Sequence, residues 1–83
     1  MIYVRNAHGD YSMPIKPYEN TVCAAYGCTE TKTDRAHVRK CDSLGRITNF
    51  SVYVIPLCSI HNRSRTDEPI HVKDTTDFIP IRL

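Results

Sequence analysis

A chain of 83 residues with a formal net charge of +2 has room for one domain, and with 41% apolar residues and no tryptophan its core is modest. Scaffolds of this size usually need a staple, and four cysteines with four histidines can supply one. The longest apolar run, residues 52–58, is too short to cross a bilayer and the N-terminus lacks an apolar leader, which excludes a membrane partner and predicts a cytoplasmic protein with reduced thiols.

Residues 2–5 (IYVR) are β-formers and predict a first strand, ended by the turn-rich residues 6–10, where His8 reads as a surface residue. Residues 11–21 carry Pro14 and Pro17 without a clean period and predict an extended segment wrapping the core. Cys23 and Cys28 follow, with Gly27 supplying the backbone freedom that a turn aiming two thiolates at one centre requires. This is the form of a zinc knuckle, with four intervening residues instead of the common two. Residues 35–39 predict a strand, residues 41–45 a turn, and residues 50–55 a second strand, together a β-hairpin with a long basic connection. Four consecutive apolar residues, 52–55, fit a strand buried on both faces, with a break expected at Pro56. The polar run 59–65 predicts two turns of helix with Cys58 or Ser59 near the N-cap. Residues 70–73 and 78–82 predict two further short strands, joined by the turn 74–77 into a C-terminal β-hairpin spanning 66–83, with Pro80 confining the last strand to a sheet edge and His71 on the strand surface. The whole chain, 1–83, reads as a single small α+β domain.

Six residues have the chemistry to bind zinc: Cys23, Cys28, His37, Cys41, Cys58 and His61. Structural zinc takes four ligands in a tetrahedron, commonly as two closely spaced pairs. One scheme joins Cys23/Cys28 to Cys58/His61, a knuckle and a helix start with the hairpin between them. The other joins Cys23/Cys28 to His37/Cys41. Its spacer is shorter than that of a ββα finger, and His37 lies in strand-like sequence, so the first scheme is favoured. The inert alternative is a set of buried thiols packed as small hydrophobes; in a secreted chain, two disulfides would lead instead.

Charge is unevenly distributed. From Arg35 to Arg65 six basic residues face one acid, for +5, whereas from Thr66 to Asp77 four acids face Lys73, for −3. The basic centre reads either as a solvated face or as a source of phosphate contacts.

Cys23-x4-Cys28, Arg35-Ala36-His37-Val38 and Val54-Ile55-Pro56-Leu57-Cys58-x2-His61-Asn62 together resemble the zinc-bearing HNH (His-Me finger) endonuclease domain, over residues 23–65. The resemblance implies a zinc-stabilised treble-clef finger of knuckle, β-hairpin and short helix, flanked by short β-strands. It matches His37 to the general base of active members. The neighbouring catalytic-metal ligand is replaced by Ala36, the orienting asparagine by Tyr53 and the last metal-binding histidine by Asn62. A shift of one residue would make His61 that ligand and draw Cys41 into the structural site, without restoring a ligand at Ala36. The expectation is therefore a zinc-binding module that holds a DNA or RNA backbone through Arg39, Lys40, Arg46, Arg63 and Arg65 without cutting it. Two alternatives stand beside it. One is a protein-interaction module, of the kind a small phage or mobile-element protein would supply, using the acidic segment and the strand-like termini. The other is a metal-dependent endonuclease with His37 as general base.

Overall fold

A computed structural model of the protein describes residues 1–7, 22–63 and 68–81. Five strands, β1 (Ile2–Asn6), β2 (Thr33–Cys41), β3 (Ile47–Cys58), β4 (Ile70–Val72) and β5 (Ile79–Pro80), form one antiparallel sheet in the order β4-β1-β2-β3-β5, and the helix α1 (Ser59–Asn62) follows β3 directly. The expectations for His8, the segment 11–21, Arg65 and Arg82 lie outside the described residues. No helix among the described residues is long and apolar enough to cross a membrane.

The central hairpin is longer than expected and its connection is shorter. β2 and β3 pair from Thr33↔Cys58 to Cys41↔Ile47, with irregularities between Val38 and Cys41. The turn is tight: Asp42 N–H donates to the Arg46 carbonyl at 2.9 Å and Gly45 N–H to the Asp42 carbonyl at 3.0 Å. Gly45 sits at φ +84°, where a side chain would be strained. β3 is buried continuously from Val54 to Cys58, so the buried stretch lies further along than the expected 52–55, with Tyr53 half-buried.

The strand does not break at Pro56. Pro56 pairs opposite Arg35, and its carbonyl accepts the Ala24 N–H at 2.8 Å, so its polar backbone side faces away from β2. The missing N–H would point the same way, beyond Tyr53 and Val54, where β5 pairs with β3. Proline therefore removes no ladder bond here.

The C-terminal strands also differ from expectation. β4 pairs with β1 and β5 with β3, so they close opposite edges of the sheet and do not form a hairpin with each other. Short apolar strands carry no information about which partner they will find. Pro80 does occupy an edge, and β5 is extended by Ile81 N–H donating to the Val52 carbonyl at 2.9 Å.

Alternation puts Val4, Ala36, Val38, Ile55, Leu57, Ile70 and Val72 in one cluster, over which Cys23, Ala24 and Ala25 of the knuckle pack. Ile55 and Leu57 are fully buried, each stabilising the fold by roughly 1.5–3 kcal/mol. The core thus holds the knuckle against the end of the sheet where β3 turns into α1.

Candidate metal centre

The knuckle is a turn fixed from several sides. Cys23 N–H donates to the Glu30 carbonyl at 2.8 Å and Cys28 N–H to the Ala25 carbonyl at 3.0 Å, closing the loop around Gly27 at φ +77°. It also joins the sheet: Ala25 bridges Val72, Tyr26 N–H donates to the His71 carbonyl at 2.8 Å, and Lys73 N–H donates to the Ala24 carbonyl at 2.9 Å. The Tyr26 ring lies parallel over the His71 imidazole, 4.5 Å between centroids.

Cys58 is both the last residue of β3 and the N-cap of α1, with extended φ/ψ of −66° and 166°. His61 follows one turn later, so the strand-to-helix switch turns both side chains toward one point. The helix itself buries no residue and has no side-chain cap. Four residues cannot hold a helix alone, and here the helix is tied through His61, whose Nδ1 meets the Cys58 and Cys23 sulfurs, and through Asn6, whose Nδ2 donates to the His61 carbonyl at 3.2 Å.

Cys23, Cys28, Cys58 and His61 bring three sulfurs and one imidazole nitrogen within 4.8 Å of one another. His61 Nδ1 lies 3.0 Å from Cys58 Sγ and 3.6 Å from Cys23 Sγ, and the Cys58 N–H donates to Cys23 Sγ at 3.3 Å. A tetrahedral ion with bonds of about 2.0–2.3 Å needs ligand separations of roughly 3.5–3.8 Å. The donor set suits such an ion, with separations that run from 3.0 Å to within 4.8 Å, on either side of that range, and all four cysteines are unbridged.

The three thiols are not equivalent. Burial pushes Cys23 up to about 11, against backbone hydrogen bonds from Cys58 and Ala25. The backbone hydrogen bond from Glu30 holds Cys28 below the usual thiol value, and Lys73 adds its positive charge. At Cys58 burial opposes ionisation, but the His61 backbone and ring and the Cys23 side chain outweigh it and lower the value. A metal ion would displace a proton from Cys23 and meet partly prepared thiolates at the other two.

The other predicted residues lie elsewhere. Cys41 is buried at the far end of β2, eight positions from Thr33, the residue opposite Cys58, or roughly 25 Å away along the strand. The scheme using His37 and Cys41 therefore does not assemble. His37 stands mid-strand opposite Val54, its carbonyl accepting the Ala7 N–H at 2.8 Å. Ala36 is packed in the core. Tyr53 accepts a hydrogen bond from Asn49 Nδ2 at 3.1 Å and meets Phe78 edge-on, and Asn62 ends α1.

The four expected phosphate contacts that are described, Arg39, Lys40, Arg46 and Arg63, do not form one patch. Lys40 Nζ lies over the Tyr53 and Phe78 rings, 4.9 and 4.6 Å from their centroids. Arg46 pairs with Asp42 at 2.8 Å, Arg39 Nε donates to the Phe50 carbonyl at 3.3 Å, and exposed Arg63 caps α1. A cleft of about 460 Å³ opens beside the centre, carrying Lys32 and Ser59 on its walls. Sequence reasoning missed Asn6 and Lys73, neither of which stands at any ligand-like spacing.

The chain matches no family model, and the searches of curated proteins and of solved structures found no similar one.

Proposed function

We propose that this protein is a zinc-binding treble-clef module of the HNH-like type that holds a nucleic-acid backbone without cutting it. The observation that carries the reading is the four-residue cluster Cys23, Cys28, Cys58 and His61. Its thiolate-rich, closed donor set suits structural zinc, which would fasten the knuckle to the end of the hairpin and the start of the helix. The chain order of knuckle, hairpin and helix supports the treble-clef assignment. Binding without cutting is supported by Ala36, whose core-packed methyl offers no ligand beside His37.

For the backbone contact, the cations fall into two groups: Arg39 and Arg46 at the hairpin tip, and Arg63 with Lys32 beside the metal centre. β3 separates the groups by on the order of 30 Å, about nine base pairs of duplex at 3.4 Å each. Few contacts mean weak, salt-sensitive and sequence-independent affinity. Metal analysis with fluorescence anisotropy on duplexes of six and sixteen base pairs tests both parts. One zinc per chain and tighter low-salt binding to the longer duplex are expected, with Arg39→Ala and Arg63→Ala each weakening it. No binding at low salt to any duplex or single strand would sink the nucleic-acid part and leave the metal part standing.

One observation favours the protein-interaction reading instead: Leu44 and Phe50, at the hairpin tip, are 73% and 79% exposed. A partner that binds the wild type but not Phe50→Ser, in a protein with no nucleic-acid affinity, would move the assignment there.

A further inference from the structure

Lys73 follows β4 at the point where that strand meets the knuckle. Its half-buried side chain turns back so that Nζ donates to the Cys23 carbonyl at 2.7 Å and to the Cys28 carbonyl at 2.6 Å. Those are the carbonyls of the two knuckle ligands, one at each end of the loop. Its own backbone N–H donates to the Ala24 carbonyl at 2.9 Å, so main chain and side chain grip the same turn. Among the described residues no carboxylate is paired with the Lys73 ammonium.

A neutral donor could close the loop equally well. What an ammonium adds is a full positive charge, and the metal centre has a use for one. Three thiolates and a neutral imidazole around a divalent cation leave one net negative charge. Cys23 and Cys58 are buried, so water screens that charge weakly. Groups just outside a metal's ligands are known to fix ligand orientation and tune affinity in this way.

We propose that Lys73 is the counter-cation of the metal centre: fixed by the two knuckle carbonyls, its ammonium offsets the negative charge of the loaded three-thiolate cluster and holds the knuckle in binding geometry. The inference rests on the metal-centre reading above. Lys73 touches no ligand atom and acts through the residues that carry them.

The test titrates wild type, Lys73→Met and Lys73→Arg with zinc against a chromophoric chelator, and with cobalt(II), whose absorption reports tetrahedral thiolate ligation. Lys73→Met should bind about 10- to 100-fold more weakly with an unchanged cobalt band shape, and Lys73→Arg should fall between it and the wild type. Repeating the Lys73→Met comparison in a Cys28→His background, where the loaded centre is neutral, should shrink the loss severalfold. An equal loss in both backgrounds would reduce Lys73 to a loop latch and overturn the charge role. Wild-type affinity in Lys73→Met would overturn the whole inference. A wild type that takes up no metal would instead bring down the metal-centre reading itself. Should Lys73→Met fail to fold, the loaded wild type still decides: NMR should detect a slowly exchanging Lys73 ammonium coupled to the Cys23 and Cys28 carbonyls, and its absence would count against the proposal.

Discussion

Gly27 and Gly45 each sit in a tight turn at positive φ, +77° and +84°, but the turns around them are secured differently. At the tip, the Asp42 carboxylate accepts the Leu44 N–H at 2.9 Å, the Arg46 N–H at 2.8 Å and the Arg46 side chain at 2.8 Å, all within four residues. A distant tie joins it, Arg5 Nη1 donating to the Gly45 carbonyl at 2.8 Å. At the metal end local bonds within the knuckle are joined by many distant ties: Cys23 and His61 are 38 positions apart, and Lys73 reaches back 50 positions to Cys23. A local turn forms whenever its own few residues do. A turn made of distant parts needs something to bear the entropy of assembling them, and an ion held by Cys23, Cys28, Cys58 and His61 would be that agent.

The largest expected contrast comes from removing the metal. Binding free energy of apparent magnitude about 10–16 kcal/mol is available to a structural zinc site of this size. Chelation, or Cys58→Ser, should therefore unfold the knuckle and α1, read by amide exchange. The tip's amides should be the last to lose protection. Cys41→Ser, far from the centre, should leave metal stoichiometry unchanged, and loss of the ion in that variant would show the ligands wrongly assigned. Next in size is Asn6→Ala, which removes the donor to the His61 carbonyl. It should cost about 1–2 kcal/mol in denaturant unfolding and weaken metal retention. Gly27→Ala meets no atom within 4 Å, so its cost is the strain of positive φ alone, about 1–2 kcal/mol.

Acid separates the two ends by mechanism. Protons compete with the ion for the thiolates, so falling pH releases metal and the metal end melts first. The tip resists longer, because three hydrogen bonds and the Arg46 charge hold the Asp42 carboxyl below its usual 3.8. A depressed carboxylate stabilises the folded turn above its ordinary value, and that contribution disappears as pH falls through the lowered one. Because Asp42 is solvent-facing, this is the smallest effect, to be read as a chemical-shift titration of the Leu44 and Arg46 amides. A tip that melts before the metal leaves would reverse the contrast.

Much of this arrangement was legible in the residues. The ligand quartet follows from two close pairs flanking a hairpin, because ligand spacing is a local property. Gly27 marks its turn for the same reason. The strands over 2–5 and 35–39 are visible in β-branched and aromatic residues, though β2 extends beyond both ends of its apolar stretch because its neighbours supply ladder bonds to polar residues. Pairing was not legible. Nothing in Ile70–Val72 or Ile79–Pro80 says that they seek opposite edges, and a turn between two strands suggests a hairpin that tertiary context overrode. Pro56 misled because its cost depends on which side its backbone faces. Lys73 carried no signal, since a lysine after a short strand reads as a solvated end.

The placement of β4 and β5 has a further consequence for how the molecule comes into being. During synthesis, residues 1–63 emerge with both borders of their sheet open and with the knuckle lacking the strand that braces it. Unpaired borders are the surfaces along which nascent chains adhere to one another. Residues 70–81 close one border and then the other, and bring Lys73 to the knuckle in the same step. The strands that seal both borders of the sheet and the lysine that ties the knuckle thus lie in one stretch of a dozen residues, 70–81.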